Sequence, residues 1–327
     1  KTPSLKFSLK KMKHTLKVTI ALTLFFFITQ IVGLLIVNSY IDHKKTAETQ
    51  VVTYKPLPYN IDRPEIENES YSWIYVSIAI IIGTVLILLL IKFNKPLVWK
   101  AWIFITIWLT LMISFSAFIK EFIALILSLV LTVLRFFKPN IVVQNLSEIF
   151  IYGGLAAVFV PVMNVFSVSI LLIIISVYDY IAVFKTKHMI KMAEFQSKSN
   201  VFAGLMIPYQ QRKAHEERKK GAVKREIAGD KKSQGYELKP NAVSGRAMAV
   251  IGGGDIGFTL LFAGVIMKSL MLNESFLIGF LKTLIIPSFV TVSLLILLIK
   301  GQQNKFYPAM PFLGVGCFIG YFVLKMI

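Results

Sequence analysis

Residues 168–184 read VSILLIIISVYDYIAVF, an apolar run broken by one carboxylate, Asp179, and residues 248–267 read MAVIGGGDIGFTLLFAGVIM, apolar again around Asp255. Spans of this length match the roughly 30 Å hydrocarbon core of a bilayer at 1.5 Å per residue. A charge within such a segment costs about 2.5–3.5 kcal/mol on insertion scales and marks function more often than packing. Working outward, similar runs recur along the whole chain. The sequence predicts an all-α polytopic membrane protein of nine transmembrane helices: Val18–Val37, Trp73–Ile91, Leu97–Ile119, Phe122–Leu134, Ile149–Val165, Val168–Phe184, Met248–Met267, Phe276–Ile299 and Tyr307–Leu324. Pro161 and Pro287 interrupt the fifth and eighth, which neighbouring helices can tolerate.

Composition agrees with that reading. Of 327 residues, 56% are apolar and 16% charged, against about 25% charged in soluble domains. The formal charge of +19 does not point to nucleic acid, because the basic residues flank apolar runs without an aromatic-and-basic stripe. They gather on one side: the N-terminal flank, the 2–3, 4–5 and 8–9 connections, and above all the 185–247 loop. The opposite side has only Lys44, Lys45, Lys55, Arg63, Lys120, Lys268, Lys282 and Lys325. Positive residues stay inside, so the N-terminus and the 185–247 loop are expected in the cytoplasm and the C-terminus outside. The first apolar run is too long for a signal peptide and lacks a small-x-small cleavage pattern. The basic stretch before it fits either an amphipathic surface helix or a plain charged flank. Within the long loop, Val201–Ile207 is apolar and ends at Pro208, as a strand or a membrane-resting segment would.

Cys317 is the single cysteine, so no internal disulfide and no cysteine-based metal site are expected. His14, His43, His188 and His215 all lie outside the predicted spans. His215-Glu216-Glu217-Arg218-Lys219 lacks the second histidine of a zinc-protease helix. No metal and no cofactor are expected. Gly252, Gly254 and Gly257 spell a G-x-G-x-x-G pattern, but no strand precedes it in this reading and it lies within an apolar span.

Inside the predicted spans, away from their ends, the acidic residues are Asp179 and Asp255. Counting helix rise from the inner ends puts them roughly 8 and 11 Å below the same surface, on consecutive antiparallel spans. Two carboxylates sharing a low-dielectric site cannot both ionise, which leaves one to take a proton from water and the other to hydrogen-bond a carbonyl. Gly252, Gly253 and Gly254 remove side chains beside Asp255, as a close helix crossing or an approaching substrate requires. Pro308-Ala309-Met310-Pro311 opens the last span with backbone groups lacking helical partners.

Tyr178-Asp179, Gly252-Gly253-Gly254-Asp255 and Pro308-Ala309-Met310 resemble the YD, GxGD and PAL motifs of the presenilin and signal peptide peptidase family. Val177–Val183 and the following Lys185-Thr186-Lys187-His188-Met189 look most like archaeal presenilin-type homologues. Met310 departs from the usual leucine, a swap that nearly conserves volume. The resemblance implies a presenilin-like fold and an intramembrane aspartic endopeptidase. Asp179 and Asp255 would be catalytic, with Tyr178, Gly252, Gly254, Pro308, Ala309 and Met310 shaping the site and supporting substrate. It implies transmembrane-helix substrates that unwind and pair as a strand near the inner loop. The chain divides into a six-span region 1–184, a loop 185–247 and a three-span region 248–327, and the sequence leaves a homo-oligomer open. The competing reading is an ion- or proton-coupled transporter, which also places paired carboxylates at broken helices.

Overall fold

A computed structural model describes residues 16–93, 95–186, 203–209, 247–301 and 307–327. The basic N-terminal stretch, most of the 185–247 loop and three of the four histidines lie outside the described residues. The helices are α1 Leu16–Tyr40, α2 Ser72–Lys92, α3 Pro96–Ser116, α4 Glu121–Phe137, α5 Ile141–Phe159, α6 Val165–Ile181, α7 Gly253–Leu270, α8 Phe276–Lys300 and α9 Met310–Met326. Among the described residues, seven of the expected spans are helices long and apolar enough to cross a bilayer, whereas α4 and α9 are each 17 residues long.

Several boundaries differ from the sequence reading, and the larger differences have local reasons. The seventh span does not begin as helix at Met248: Ala247–Gly252 is a strand, and helix starts only at Gly253. Three consecutive glycines are poor helix residues, and the strand before them has a partner. The ninth helix begins at Met310 rather than Tyr307. Pro311 therefore sits in its first turn, where a missing N–H costs nothing. The interruption expected from Pro287 is present: α8 breaks at Leu284, because the Pro287 ring clashes with the carbonyl four residues earlier, at Thr283. The fifth span starts eight residues early, where the Asn140 side chain caps α5 by accepting from the Val142 N–H.

The strand partner is β1, Gly204–Tyr209, which runs antiparallel to β2, Ala247–Gly252, with Leu205 opposite Ile251 and Pro208 opposite Met248. Of the two alternatives for Val201–Ile207, the described part is strand, and it continues through Pro208 instead of stopping there. A proline is tolerated because this two-stranded ribbon is all edge. The outer side of β1 is closed by Asn145 of α5. Its Nδ2 donates to the Met206 carbonyl at 2.7 Å and its Oδ1 accepts from the Met206 N–H at 2.9 Å. One side-chain amide thus stands in for a neighbouring strand.

The core centres on α7, whose Leu260, Phe262, Ala263, Ile266 and Met267 are fully buried among residues of α1, α5, α6, α8 and α9. Helices approach closely where glycines permit it: a Cβ on Gly154 would lie 2.0 Å from the Thr110 carbonyl oxygen of α3. By contrast α2 buries only Ser72 and lies at the margin. At the end of the bundle away from β1 and β2, Lys268 Nζ gathers Glu69, the Pro161 carbonyl and the Met163 carbonyl within 2.7–3.1 Å. That ammonium satisfies the carbonyls released where Pro161 ends α5.

The acids within the helices are not confined to Asp179 and Asp255: Glu148 falls inside α5 and is 1% exposed. The sequence reading began that span at Ile149 and so left Glu148 outside it.

Candidate active site

Asp179 lies near the C-terminal end of α6 and is 6% exposed. The helix does not stop cleanly after it but continues as a π-helical turn, Ala182–Thr186. Such turns loosen the i→i−4 ladder and recur at functional sites. The Asp179 Oδ2 accepts the main-chain N–H of Met310 at 3.2 Å, and the Ala309 N–H is also directed to this carboxyl. A helix start leaves its first N–H groups without internal partners, so the first turn of α9 supplies donors that Asp179 takes. One turn earlier on the same face, Ser176 Oγ reaches the Met310 carbonyl at 3.3 Å. Asp179 and Ser176 together hold both main-chain groups of Met310.

Asp255 is the third residue of α7 and half-buried. Its carboxyl accepts no hydrogen bond from the described residues, and its Oδ2 lies 3.4 Å from where a Gly252 Cβ would sit. The turn that carries it is fixed through main chain and neighbours. Thr259 Oγ1 donates to the Asp255 carbonyl at 2.8 Å. Gln30 of α1 donates from Nε2 to Thr259 Oγ1 at 2.9 Å and to the Ile256 carbonyl at 3.0 Å. Packing of α6 directly on α7 brings the two aspartate-bearing helices together.

The residues before Asp255 approach as strand, not as the helix from which equal depth is expected. The site is instead a pairing of helix ends: Asp179 near the last turn of α6, Asp255 in the first of α7, Met310 opening α9. The arrangement gives one carboxyl anchored by main-chain donors and one that, among the described residues, accepts no hydrogen bond. Such a pair can hold a water and a carbonyl between them without metal. Among the described residues no cluster of three His, Cys, Asp or Glu could hold a metal ion.

The other expected site residues separate into two groups. Ala309 and Met310 meet Asp179, Pro308 is buried beside them, and Gly252 flanks the Asp255 carboxyl. Tyr178 turns instead toward α2, its hydroxyl 3.4 Å from Thr84 Oγ1. Gly254 has room for a side chain, the nearest atom to an added Cβ being 3.8 Å away on Phe258. The glycine that cannot be replaced in place is Gly253, whose Cβ would meet the Tyr152 hydroxyl at 2.5 Å. Ser176, Gln30 and Tyr152 went unnoticed in the sequence. Only Ser176 carried a local signal, one turn before Asp179 on the same face.

A sequence model of the family described as signal-peptide peptidase, presenilin aspartyl protease matches residues 57–327. Two solved structures of a presenilin family intramembrane aspartate protease, in C222 and P2 crystal forms, have a similar fold. The first has a TM-score of 0.55 at 18% identity, covering 93% of this chain and 95% of the other. The second has a TM-score of 0.54 at 18% identity, covering 94% and 97%. Among the curated proteins, none matches the chain.

Proposed function

Since this chain belongs to the signal-peptide peptidase and presenilin aspartyl protease family, and so to the intramembrane aspartic endopeptidases, we propose that Asp179 and Asp255 are its catalytic pair. The observation that carries the proposal is the Met310 N–H donated to Asp179 beside the helix that bears Asp255. It ties three separated motifs into one site. The family leaves the transporter reading without support.

Chemically, one carboxylate takes a proton from a water as its oxygen attacks the scissile carbonyl carbon. The protonated partner donates to the carbonyl oxygen. The tetrahedral adduct then collapses: the C–N bond breaks and the departing nitrogen takes a proton from the pair. The two groups titrate as a unit, so base and acid are not assigned individually. Ala309 and Met310 hold Asp179 in place through their main chain and, with Pro308 and Gly252, line the approach of substrate.

The substrates in this reading are transmembrane helices within a bilayer. A helical peptide bond is shielded by its own hydrogen bonds, so a substrate must unwind locally before water can attack. The edge of β2 is the available partner for an unwound stretch, because Asn145 occupies the edge of β1. Residues 1–184 would then supply Asp179 and residues 248–327 the remainder of the site, with the 185–247 loop and N-terminus cytoplasmic. Protease added to right-side-out vesicles should spare that loop; digestion there reverses the assignment.

The deciding experiment is cleavage of a transmembrane substrate in detergent or liposomes. Asp179→Ala and Asp255→Ala should each reduce the rate to background while the protein stays folded, as a cooperative thermal transition shows. Removing an intramembrane carboxyl relieves a desolvation cost. Clear activity in either folded variant overturns the assignment.

A further inference from the structure

Behind Asp255 lies a buried polar chain that the proposed reaction does not use. Arg135 of α4 and Glu148 of α5 form an ion pair whose side chains are 4% and 1% exposed. Gln144 Nε2 donates to the same Glu148 oxygen at 3.0 Å. The other Glu148 oxygen accepts the hydroxyl of Tyr152, one helical turn on. A buried ion pair is seldom a net gain in stability over apolar packing, so its product here must be sought in what it holds. What it holds is Tyr152, 6% exposed.

The Tyr152 ring lies against the start of α7. A Cβ on Gly253 would be 2.5 Å from its hydroxyl and 3.2 Å from two ring carbons, and one on Gly257 would be 3.6 Å from Cδ1. The ring therefore spans the turn from Gly253 to Gly257, and Asp255 lies within that turn. With the hydroxyl fastened to Glu148, the ring forms a fixed wall against which bare main chain rests. Resting on the aspartyl assignment above, we propose that Tyr152 is a positioning residue for Asp255. Clamped by the Arg135–Glu148 pair, it sets where the first turn of α7 sits relative to Asp179.

Displacing a reacting group by about 1 Å costs about 100-fold in rate, which gives the expected scale. The test compares Gly253→Ala, Tyr152→Phe and the double variant in the transmembrane-substrate assay. Rates are expressed per active site titrated with a saturating transition-state-analogue aspartyl inhibitor. G253A forces the turn away from the hydroxyl and should lower kcat about 100-fold with KM nearly unchanged. Y152F keeps the ring but frees it from Glu148, and should lower kcat about tenfold. In the double variant the hydroxyl that blocks the new methyl is gone, so kcat should rise from the G253A level toward that of Y152F.

A parental kcat per titrated site in G253A overturns the proposal, as does a double variant no faster than G253A. Losses confined to melting temperature or to the titrated fraction would make Tyr152 simple packing and overturn it equally. D255A runs alongside. If it still cleaves, the aspartyl assignment falls and this proposal with it, whereas an inactive D255A beside a fully active G253A removes positioning alone.

Discussion

The Asp179 carboxylate accepts the main-chain N–H of Met310 at 3.2 Å, although the two residues are 131 apart in sequence. The donor belongs to the backbone, so the contact does not depend on which side chain stands at 310. Pro311 at the next position has no N–H to compete, and Ala309 and Met310 are left as the donors of that helix start.

Met310→Leu should for that reason leave cleavage within about threefold of the parent, the two side chains having nearly equal volume. Met310→Ala keeps the N–H but empties a site that is 3% exposed. It should destabilise the protein by about 2–5 kcal/mol. The pair of measurements is cleavage rate and thermal unfolding. A loss of activity in M310L as severe as in Asp179→Ala would show that the side chain, not the main chain, serves the site.

Much of this was legible in the sequence, and the missing parts share one cause. Asp179, Asp255 and Met310 announced themselves because a charge or a proline is costly in an apolar run. The helical character of most spans followed from apolar length alone. Glu148 and Arg135 stayed hidden because each sits near a connection, where charge is ordinary, and only folding brings them together inside the bundle. The motif resemblance points to Gly252 and Gly254 and passes over Gly253, because nothing in the sequence shows that a neighbour such as Tyr152 presses on the middle glycine. The strand Ala247–Gly252 was absorbed into a helix because a short apolar run reads equally well as either. Its partner lies some forty residues earlier, beyond the reach of any local pattern.

The Arg135–Glu148 pair makes its own prediction. Removing one partner strands a buried charge, so Arg135→Ala and Glu148→Ala should each cost about 3–5 kcal/mol. Replacing both together by Met and Leu should cost less than either single change, because no ion remains unpaired. Unfolding in a denaturing-detergent series reads the difference. A double variant as unstable as the sum of the two singles would mean that the ions contribute independently.

On the segment between α1 and α2, His43 packs edge to face on Phe276, with ring centroids 4.6 Å apart. Burial holds its imidazole below the ordinary histidine value, with the Asn38 main chain opposing and the Lys55 charge adding to the shift. The unfolded chain takes up a proton at about pH 6.5 while the folded ring resists it. The contribution is therefore fully present above that pH and declines as pH falls below it. Melting temperature should drop more steeply with acid in the parent than in His43→Phe, which keeps the aromatic contact. Equal slopes in the two proteins would exclude His43 as the source.

Asp179→Asn separates the geometry of the site from its chemistry. The amide oxygen can still accept the Met310 N–H, so the first turn of α9 should stay docked on α6 and the melting temperature should remain close to the parent. An amide can neither take a proton from water nor return one to the departing nitrogen. Cleavage of a transmembrane substrate should therefore fall to background, as in Asp179→Ala. Asp255→Asn should match it, because a paired scheme fails when either member is lost. The comparison with Asp179→Ala is informative in its own right: the alanine variant also loses the acceptor for Met310 and should show the lower melting temperature of the two. Substantial cleavage by either asparagine variant would mean that a single carboxyl group suffices, and the two-carboxylate mechanism would have to be abandoned.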